Sequence, residues 1–594
     1  MGAIKINEPN IKGFSWIDFS KAIWYLMGEK RNRYAFLNFI VLIILFYSII
    51  PPLILGKIVD FFTTYKLGQR VEYFYYLALF LGLSYSIISY IRLTTKKVMG
   101  DLRSEIVYSI KVKGFEKLLS FSTKWHDSQN TGEKVQRMLS GVNAIGSLAY
   151  MFNNQILTLF TSIVGTLGVF IFINPVYIIF FIIYIVSFFA ALKYFSNRLD
   201  EENRKYYIAL EKTGGSYVEG LSNILTIKTL GVSKSFTSYV ADTESLTKKY
   251  DISKRKIGNN LWKTFQILNG LYTSLFMLLV GRDVFTGIIT PGTIVIFFGY
   301  FQNLRNSSGD FLDIYNDLLS DKSAIARMIN IFWEKEREYF GNKLFPSSWN
   351  KIQLNNAGFS YKRGVDVNEF GISKVNLNIG KYQKIGIVGK TGSGKSTLSK
   401  LLAGLYKFDT GTYFIDDLDF YDIKYNQITN NIFLVLQESE MFNLSLKDNI
   451  TLMRRINKER FTKAIELSQL TELINKLPNG IETLIGERGY RLSGGERQRI
   501  GIAWAIYRNP KFFIFDEATS SLDSKTEGLI IEGLINELKD KTLISIAHRV
   551  TTLKDFDKIY VFKEGKIVES GSYEELSKNI DSHFHELYST QTAS

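Results

Sequence analysis

The stretch QKIGIVGKTGSGKSTLSKLL, residues 383–402, reads as an apolar strand, a glycine-rich loop and an amphipathic helix, in that order. It fits the pattern G-x-x-x-x-G-K-S through Gly389, Gly394, Lys395 and Ser396, in the strand–loop–helix context that the pattern requires. Glycines let backbone N–H groups surround phosphates, the lysine reaches the β- and γ-phosphates, and the serine binds Mg²⁺. The stretch therefore predicts a nucleotide site, to which we also assign the neighbouring loop residues Lys390, Thr391, Gly392, Ser393 and Thr397.

Two later strands add polar groups to this prediction. The segment PKFFIFDEATSSLD (510–523) places two adjacent acids after a strand, and we expect Asp516 to hold Mg²⁺ and Glu517 to orient or deprotonate the attacking water. Two acids at a helix N-terminus can instead serve the helix dipole, but the phosphate loop favours the catalytic interpretation. The strand in KTLISIAHRV (541–550) ends at His548, which is either structural or a donor to a γ-phosphate oxygen.

A second anion-binding feature follows in the same half of the chain. The segment YRLSGGERQR (490–499) puts Ser493, Gly494 and Gly495 at the start of a charged helical run, where free N–H groups and the helix dipole favour an anion. One domain with two phosphate-binding features raises the question of what the second one binds.

The composition separates an apolar half from this polar half. The chain has 594 residues, 46 % of them hydrophobic, and a net charge of +15. It has no cysteine, which excludes disulfides, thiolate metal sites and cysteine nucleophiles. The positive charge accompanies long apolar runs and no basic patch interleaved with aromatic residues, so we expect a lipid bilayer and no nucleic acid as partner.

Six runs are long enough to cross a bilayer as helices, which takes about 20 residues. They are 36–55, 73–91, 155–173, 176–192, 265–281 and 284–301. The two long connections, 92–137 and 193–263, contain ten and thirteen Lys or Arg residues, whereas the alternate connections are short and carry few. This asymmetry places the long connections, both termini and everything after the sixth run in the cytoplasm.

The long connections also show helical spacing of apolar residues, as in LRSEIVYSIKVKGFEKLL (102–119), so we expect membrane helices that continue into the cytoplasm. The segment 15–33 either lies flat on the inner membrane surface or is an ordinary amphipathic lead-in helix. After residue 340, short strands, glycine turns and helices indicate an α/β domain.

The predicted architecture is a multi-domain membrane protein with an all-α transmembrane domain followed by an α/β P-loop ATPase domain. The predicted boundaries are 1–34 for an N-terminal cytoplasmic or interfacial helix, 35–305 for the six-span domain with long cytoplasmic extensions, 306–345 for a connecting helix or linker, and 346–594 for the nucleotide-binding domain.

The motifs and their order resemble those of ABC transporters. The segment from about 350 to 580 resembles their nucleotide-binding domain, and the whole chain resembles an exporter-type half-transporter, with six spans fused to one ATPase domain. By this resemblance, Tyr361 stacks on adenine, Gln437 links Mg²⁺ and water to the membrane domain, and Asp523 closes the loop between two ATPase domains. Segments 125–137 and 211–230 resemble the cytoplasmic regions whose turns dock on ATPase domains.

The resemblance also explains the second anion-binding feature. In this family it closes over the γ-phosphate held by the phosphate loop of an opposing domain, which implies two chains with two ATP molecules between them. Because the expected site residues are all present, a homodimer is favoured over a heterodimer with a second, different chain. Two departures are Glu496, where the family usually has Gln, and Trp504, where it usually has Arg. The Ser-Gly-Gly core is intact, so we expect a working site.

The sequence thus predicts ATP-driven export of an amphipathic or hydrophobic substrate (peptide, lipid or drug-like) across the cytoplasmic, or inner, membrane. The span centres contain no Asp, Glu, Lys or Arg, which disfavours an ion pathway. Asn154, Gln155, Gln266 and Asn269 either line the substrate cavity or join helices by hydrogen bonds. An ATP-gated channel or regulator and an importer with exporter architecture remain open alternatives. A membrane-anchored soluble-type ATPase would need far fewer spans.

Overall fold

The computed structural model describes residues 14–127, 131–173, 175–334, 340–361, 370–437, 440–486, 490, 492–547 and 549–592. The described residues form two compact units, an N-terminal unit up to residue 334 and a C-terminal unit from residue 340 that also includes Ser122–Lys124. Within the C-terminal unit, the Thr123 hydroxyl donates a hydrogen bond to the backbone carbonyl of Leu405.

Helices alone form the regular structure of the described residues before 334. They are α1 Trp16–Met27, α2 Arg31–Phe46, α3 Ile50–Thr64, α4 Glu72–Ser120, α5 Thr123–Asp127, α6 Thr131–Met151, α7 Leu157–Ile173, α8 Val176–Ser222, α9 Ile224–Thr229, α10 Ser233–Phe285 and α11 Pro291–Trp333. Short 3₁₀ turns at Gly28–Lys30 and Tyr47–Ile49 and a π-helical turn at Phe152–Ile156 join some of them.

The longest helices confirm that the apolar runs continue as helices well beyond the length of a membrane span. Helices α4, α8 and α10 contain 49, 47 and 53 residues. At about 1.5 Å per residue, each is more than twice as long as the ~30 Å hydrocarbon core of a bilayer. A large part of each helix must therefore project beyond the membrane.

Five helical stretches among the described residues are long and apolar enough to cross a membrane. They are Trp16–Thr64, Glu72–Ser120, Gly132–Phe172, Val176–Ser222 and Ser233–Phe285. Helix α11 corresponds to the sixth predicted run but is not among them, because Gln302, Asn303 and Arg305 follow its short apolar start.

The predicted limits of the sixth run, 284–301, are wrong. Residues 284 and 285 complete α10, and α11 begins only at Pro291. Gly287 has a left-handed φ of 74°, which ends the helical path, and Pro291 suits a first helical turn because it has no N–H to leave unsatisfied. The Asp60 carboxylate of α3 accepts hydrogen bonds from the Gly292 N–H (2.8 Å) and the Thr290 hydroxyl (3.0 Å), which fixes this start.

The segment 15–33 begins with a packed helix. The Ser15 hydroxyl accepts from the Asp18 N–H, and the Asp18 carboxylate accepts from the Ser15 N–H, which is a capping box that starts α1. Phe19 and Ala22 are buried in a cluster with residues of α4, α6 and α11.

Helix α11 continues without a break through the predicted domain boundary at 305/306.

The C-terminal unit alternates strands and helices. Its strands are β1 Lys351–Tyr361, β2 Phe370–Gly380, β3 Lys384–Gly389, β4 Thr410–Ile415, β5 Leu418–Asp419, β6 Ile432–Val435, β7 Leu444–Ser445, β8 Leu484–Ile485, β9 Phe512–Asp516, β10 Thr542–Ile546, β11 Lys558–Lys563 and β12 Lys566–Gly571. Its helices are α12 Lys395–Leu402, α13 Tyr425–Asn431, α14 Leu446–Thr451, α15 Lys458–Leu467, α16 Thr471–Lys476, α17 Gly494–Arg508, α18 Ser524–Glu537, α19 Tyr573–Lys578 and α20 His583–Thr592.

The central sheet has the order β12-β11-β3-β10-β9-β6, and β3 pairs in parallel with β10 and β11, as β9 does with β6 and β10. A second, antiparallel sheet has the order β2-β1-β4-β5. The central strands are continuous apolar runs, as expected of a parallel sheet covered on both faces. The carboxyl ends of β3, β9 and β10 therefore lie at one edge, where ligands bind in open α/β sheets.

Candidate functional site

The glycine-rich loop follows β3 and ends at α12, as predicted. Gly392 and Gly394 have left-handed φ values of 81° and 103°. A Cβ atom added to Gly389 would lie 2.2 Å from the carbonyl oxygen of Phe562, so only glycine fits there. The Ser393 hydroxyl is buried and has no hydrogen-bond partner among the described residues. A buried polar atom without a partner in such a loop fits a phosphate oxygen as its missing partner.

The Lys395 side chain is buried beneath this loop. Its Nζ atom donates hydrogen bonds to the carbonyls of Gly389 (2.8 Å) and Lys390 (3.2 Å) and lies 3.9 Å from a Glu517 carboxylate oxygen. Burial lowers the pKa of Lys395, and the carboxylates of Glu517 and Asp516 oppose that shift. A phosphate bound beside Lys395 would add negative charge and would further favour the charged form of its ammonium group.

Asp516 joins the end of β9 to the first turn of α12. Its two carboxylate oxygens accept hydrogen bonds from the Ser396 hydroxyl (2.9 Å) and the Ser399 hydroxyl (2.7 Å). Asp516 is only 2 % exposed, and burial raises its pKa against the lowering effect of these two hydrogen bonds. A neighbouring Ser396 and Asp516 form an oxygen set of the kind that Mg²⁺ prefers.

Glu517, the next residue, is positioned by two contacts outside its strand. Gln437 Nε2 donates a hydrogen bond of 2.8 Å to its carboxylate, and its own N–H donates to the Ile546 carbonyl of β10 (3.1 Å). Glu517 has a φ of +49°, a left-handed conformation that is unusual for a residue with a side chain. The structure thus brings Gln437, Lys395 and Glu517 together.

The Ser-Gly-Gly feature forms the N-terminus of α17. The Ser493 hydroxyl accepts from the Glu496 N–H, and the Glu496 carboxylate accepts from the Ser493 N–H (2.7 Å) and hydroxyl (2.9 Å). Glu496, a departure from the usual sequence, thus completes a capping box. Within the described residues, no hydrogen bond joins Ser493–Gly495 to the loop 389–397.

Gln498 is a site residue that the sequence reasoning missed. It is 3 % exposed, and its Nε2 atom donates to the Gln437 carbonyl (3.2 Å), the Glu517 carbonyl (3.4 Å) and the Ser520 hydroxyl (3.0 Å). Its Oε1 atom accepts from the Ser521 N–H (2.8 Å). Gln498 therefore ties α17 to the residues that hold Glu517. Its place in the charged run ERQR gave no signal of burial.

The remaining predicted residues have varied surroundings. The Tyr361 ring packs edge-on against Phe359 (5.0 Å between centroids) and Tyr406 (5.7 Å) at the end of β1. The Asp523 carboxylate accepts from the Thr526 N–H (2.9 Å) and caps α18, and this hydrogen bonding lowers its pKa. His548 lies outside the described residues.

Comparisons with known proteins agree with this geometry. The model of the ABC transporter family matches residues 372–520, and that of the ABC transporter transmembrane region matches residues 35–308. A structure of a bacterial Atm1-family ABC exporter with ATP bound shares the fold, with a TM-score of 0.85 over 95 % of this chain and 99 % of the other, at 22 % identity.

Curated relatives match most of the chain. An uncharacterized ABC transporter ATP-binding protein, YfiC of Bacillus subtilis, is 26 % identical over 96 % of this chain and 94 % of its own length. The alpha-hemolysin translocation ATP-binding protein HlyB of Escherichia coli is 30 % identical over 83 % of this chain and 70 % of its own length. The chain therefore belongs to the ABC transporter family, as an exporter-type half-transporter that couples ATP hydrolysis to transport.

Proposed function

We propose that two copies of this chain form a homodimeric exporter with two ATP sites between them. This proposal rests on the presence of two distinct anion-binding features in one unit, the loop 389–397 and the N-terminus of α17. Each fits one half of a phosphate site, and a symmetric pair of chains joins each half to its complement. The Atm1-family relative, solved with ATP bound, has the same fold.

In each site, the residues of one chain have separate roles. The loop residues Lys390–Thr397 bind the phosphates by their N–H groups, Tyr361 packs on the base, and Lys395 leaves its loop carbonyls to contact the β- and γ-phosphates. Ser396, Asp516 and Gln437 offer the oxygens that would hold Mg²⁺, which when bound neutralises phosphate charge. We propose Glu517 as the residue that orients or deprotonates water, and His548 as a donor to the γ-phosphate.

The second copy completes each site. Ser493, Gly494 and Gly495 of that copy supply N–H groups and the positive end of a helix dipole to the γ-phosphate. Asp523 fixes the loop that precedes α18, through which the two ATPase units contact each other. Binding of ATP then closes the dimer, and hydrolysis releases it.

The proposed substrate is amphipathic or hydrophobic: a peptide, a lipid or a drug-like molecule. The span centres carry no charges, which argues against an ion pathway. Named relatives act on different cargo, since HlyB serves alpha-hemolysin translocation and YgaD of Bacillus subtilis is a putative multidrug export protein. We place the protein in the cytoplasmic membrane, with the ATPase unit and both termini in the cytoplasm, from the Lys and Arg excess of the long connections.

Transport in inside-out vesicles tests this proposal. We expect ATP to drive accumulation of a hydrophobic cation, lipid or peptide, and Glu517→Gln to abolish it. Uptake that needs ATP binding, persists in Glu517→Gln and stops at equilibrium with the outside solution would favour an ATP-gated channel. ATP-driven efflux from these vesicles would favour import.

A further inference from the structure

A basic cavity lies between the spans of the N-terminal unit, at the end where the long connections begin. It has a volume of 260 Å³ and is lined by α2, α4, α6 and the π-helical turn at Phe152–Ile156. Three of its lining residues are cations of α4: Arg92, Lys96 and Arg103. None of the three forms an ion pair with any residue that the structure describes.

The three cations share one face of α4. At 100° per residue, Lys96 and Arg103 lie about 40° and 20° from Arg92 around the helix axis. The acids of the same segment, Asp101 and Glu105, lie on the opposite side of the helix, and Glu105 already pairs with Lys30 at 2.7 Å. The positive face is therefore not neutralised by its own helix.

The opposite wall offers polar and aromatic groups. The π-helical turn places both Asn153 and Asn154 in the lining, and π turns are frequent at functional sites. Asn153 Oδ1 is buried and has no hydrogen-bond partner among the described residues, so it can accept from a ligand hydroxyl. The Lys96 ammonium lies 5.7 Å from the centre of the Tyr150 ring.

An apolar cavity of 580 Å³ adjoins the basic one. The two share Tyr34 and Ala149 as wall residues, and the apolar cavity is otherwise lined largely by hydrophobic residues of α1, α2 and α6, such as Trp24, Phe39 and Leu148. An anionic headgroup site beside an apolar groove fits a molecule with a charged head and a hydrocarbon tail.

We propose that the basic cavity binds the headgroup of an anionic phospholipid from the cytoplasmic leaflet, with phosphate on Arg92, Lys96 and Arg103 and headgroup hydroxyls on Asn153. Basic pockets between spans at the cytoplasmic side bind such headgroups. Phosphatidylglycerol has both required features, a phosphate and free hydroxyls. The proposal depends on the membrane orientation given above, and not on the identity of the exported substrate.

The test is lipid binding to the full-length protein in detergent, measured by native mass spectrometry with phosphatidylglycerol and, as the uncharged comparison, phosphatidylcholine. We expect phosphatidylglycerol to bind more tightly. Each cation removed should weaken it about five-fold, so Lys96→Gln with Arg103→Gln should weaken it about 25-fold. Lys97→Gln is the matched control, because Lys97 is adjacent and exposed but does not line the cavity.

Unchanged binding in the double variant, or an equal loss in Lys97→Gln, would overturn the proposal, because general surface charge would then explain the lipid preference. Inorganic phosphate and glycerol phosphate serve as competitors. Displacement of the lipid by millimolar amounts of either would show a site for soluble anions and would also overturn the lipid assignment.

Basal ATP hydrolysis is measured on the same variants. It should persist, so a negative lipid result leaves the proposed transport function untouched. If the double variant does not fold, Arg92→Gln and Lys96→Gln alone carry the test, with an expected five-fold loss each.

Discussion

At the residue scale, Glu517 is held in a backbone conformation that a side chain rarely adopts. Its φ of +49° costs on the order of 1 kcal/mol, and such strain is concentrated at functional sites. The hydrogen bond from its N–H to the Ile546 carbonyl and the one from Gln437 to its carboxylate hold it there. The acid pair itself is evident from the sequence, but this conformation depends on contacts with other segments and is not.

Gln498 should control turnover through these contacts. Gln498→Met keeps the size of the side chain but removes its hydrogen bonds to Gln437, Glu517, Ser520 and Ser521, so we expect kcat to fall about 10- to 100-fold while the ATP affinity changes little. The unmatched buried polar groups cost about 1–3 kcal/mol of stability. Steady-state ATPase kinetics, nucleotide titration and thermal unfolding separate the two effects.

The control for Gln498 is Arg499→Met, one residue later, whose side chain contacts the Gln469 carbonyl instead. A normal kcat in folded Gln498→Met protein would show that this residue does not position Glu517.

The negative charge of Glu496 should raise the KM for ATP. Its carboxylate occupies the positive end of α17, where we propose that a γ-phosphate docks. Glu496→Gln preserves a capping-box residue but removes the charge, which is worth about 0.3–1 kcal/mol near a helix terminus. We expect a KM for ATP that is about two- to five-fold lower, and a smaller difference at high salt. An unchanged or higher KM at low salt would contradict this role.

At the element scale, the long helices pack against one another through polar groups that lie beyond the predicted membrane spans. Arg327 of α11 pairs with Glu211 of α8, and Arg137 of α6 lies 3.9 Å from the same carboxylate. Burial raises the pKa of Glu211, and the two guanidinium groups oppose that shift. Breaking such a buried pair typically costs about 3–5 kcal/mol, so these three helices are held together outside the bilayer.

Asp321 of α11 should make this helical packing pH-dependent. Burial raises its pKa to about 7, and nearby Asp317 adds to the shift. Because the folded pKa exceeds the unfolded one, the folded state holds an extra proton between about pH 4 and 7, and stability falls as the pH rises through that window. Asp321→Asn should therefore raise the stability by about 4 kcal/mol at pH 8 and by only about 2 kcal/mol at pH 5.

Thermal unfolding of the detergent-solubilised protein at both pH values checks this prediction. Asp101→Asn, an exposed change on α4, is the control. A gain in Tm that is equal at pH 5 and pH 8 would show that titration of Asp321 is not the cause.

The elements also show what periodicity can and cannot predict. The strand, loop and helix around Gly389–Ser396 follow from local residue types, so the sequence predicts them well. The start of α11 cannot be predicted in this way, because the run 284–301 is apolar on both sides of the break. The break is made by Gly287 and Pro291 together with Asp60, which is distant in the sequence. The sequence shows the cations of α4 only as an excess of positive charge, because the opposite wall of the basic cavity comes from other helices.

At the scale of the whole molecule, each ATP site of the proposed homodimer combines residues of two chains. Mixed dimers test this. With Lys395→Ala on one chain and Gly494→Asp on the other, one shared site remains intact, whereas both changes on the same chain damage both sites. We expect residual ATPase activity only in the first arrangement. Activity only in the second would mean that each chain completes its own site.

The most direct test of the central claim is the ATPase activity of the purified chain, alone in nanodiscs, compared with Glu517→Gln. We predict Mg²⁺-dependent hydrolysis well above that variant, with stimulation by one class of amphipathic substrate. Hydrolysis no higher than in Glu517→Gln would contradict a homodimeric pump and would mean that a different partner chain is required.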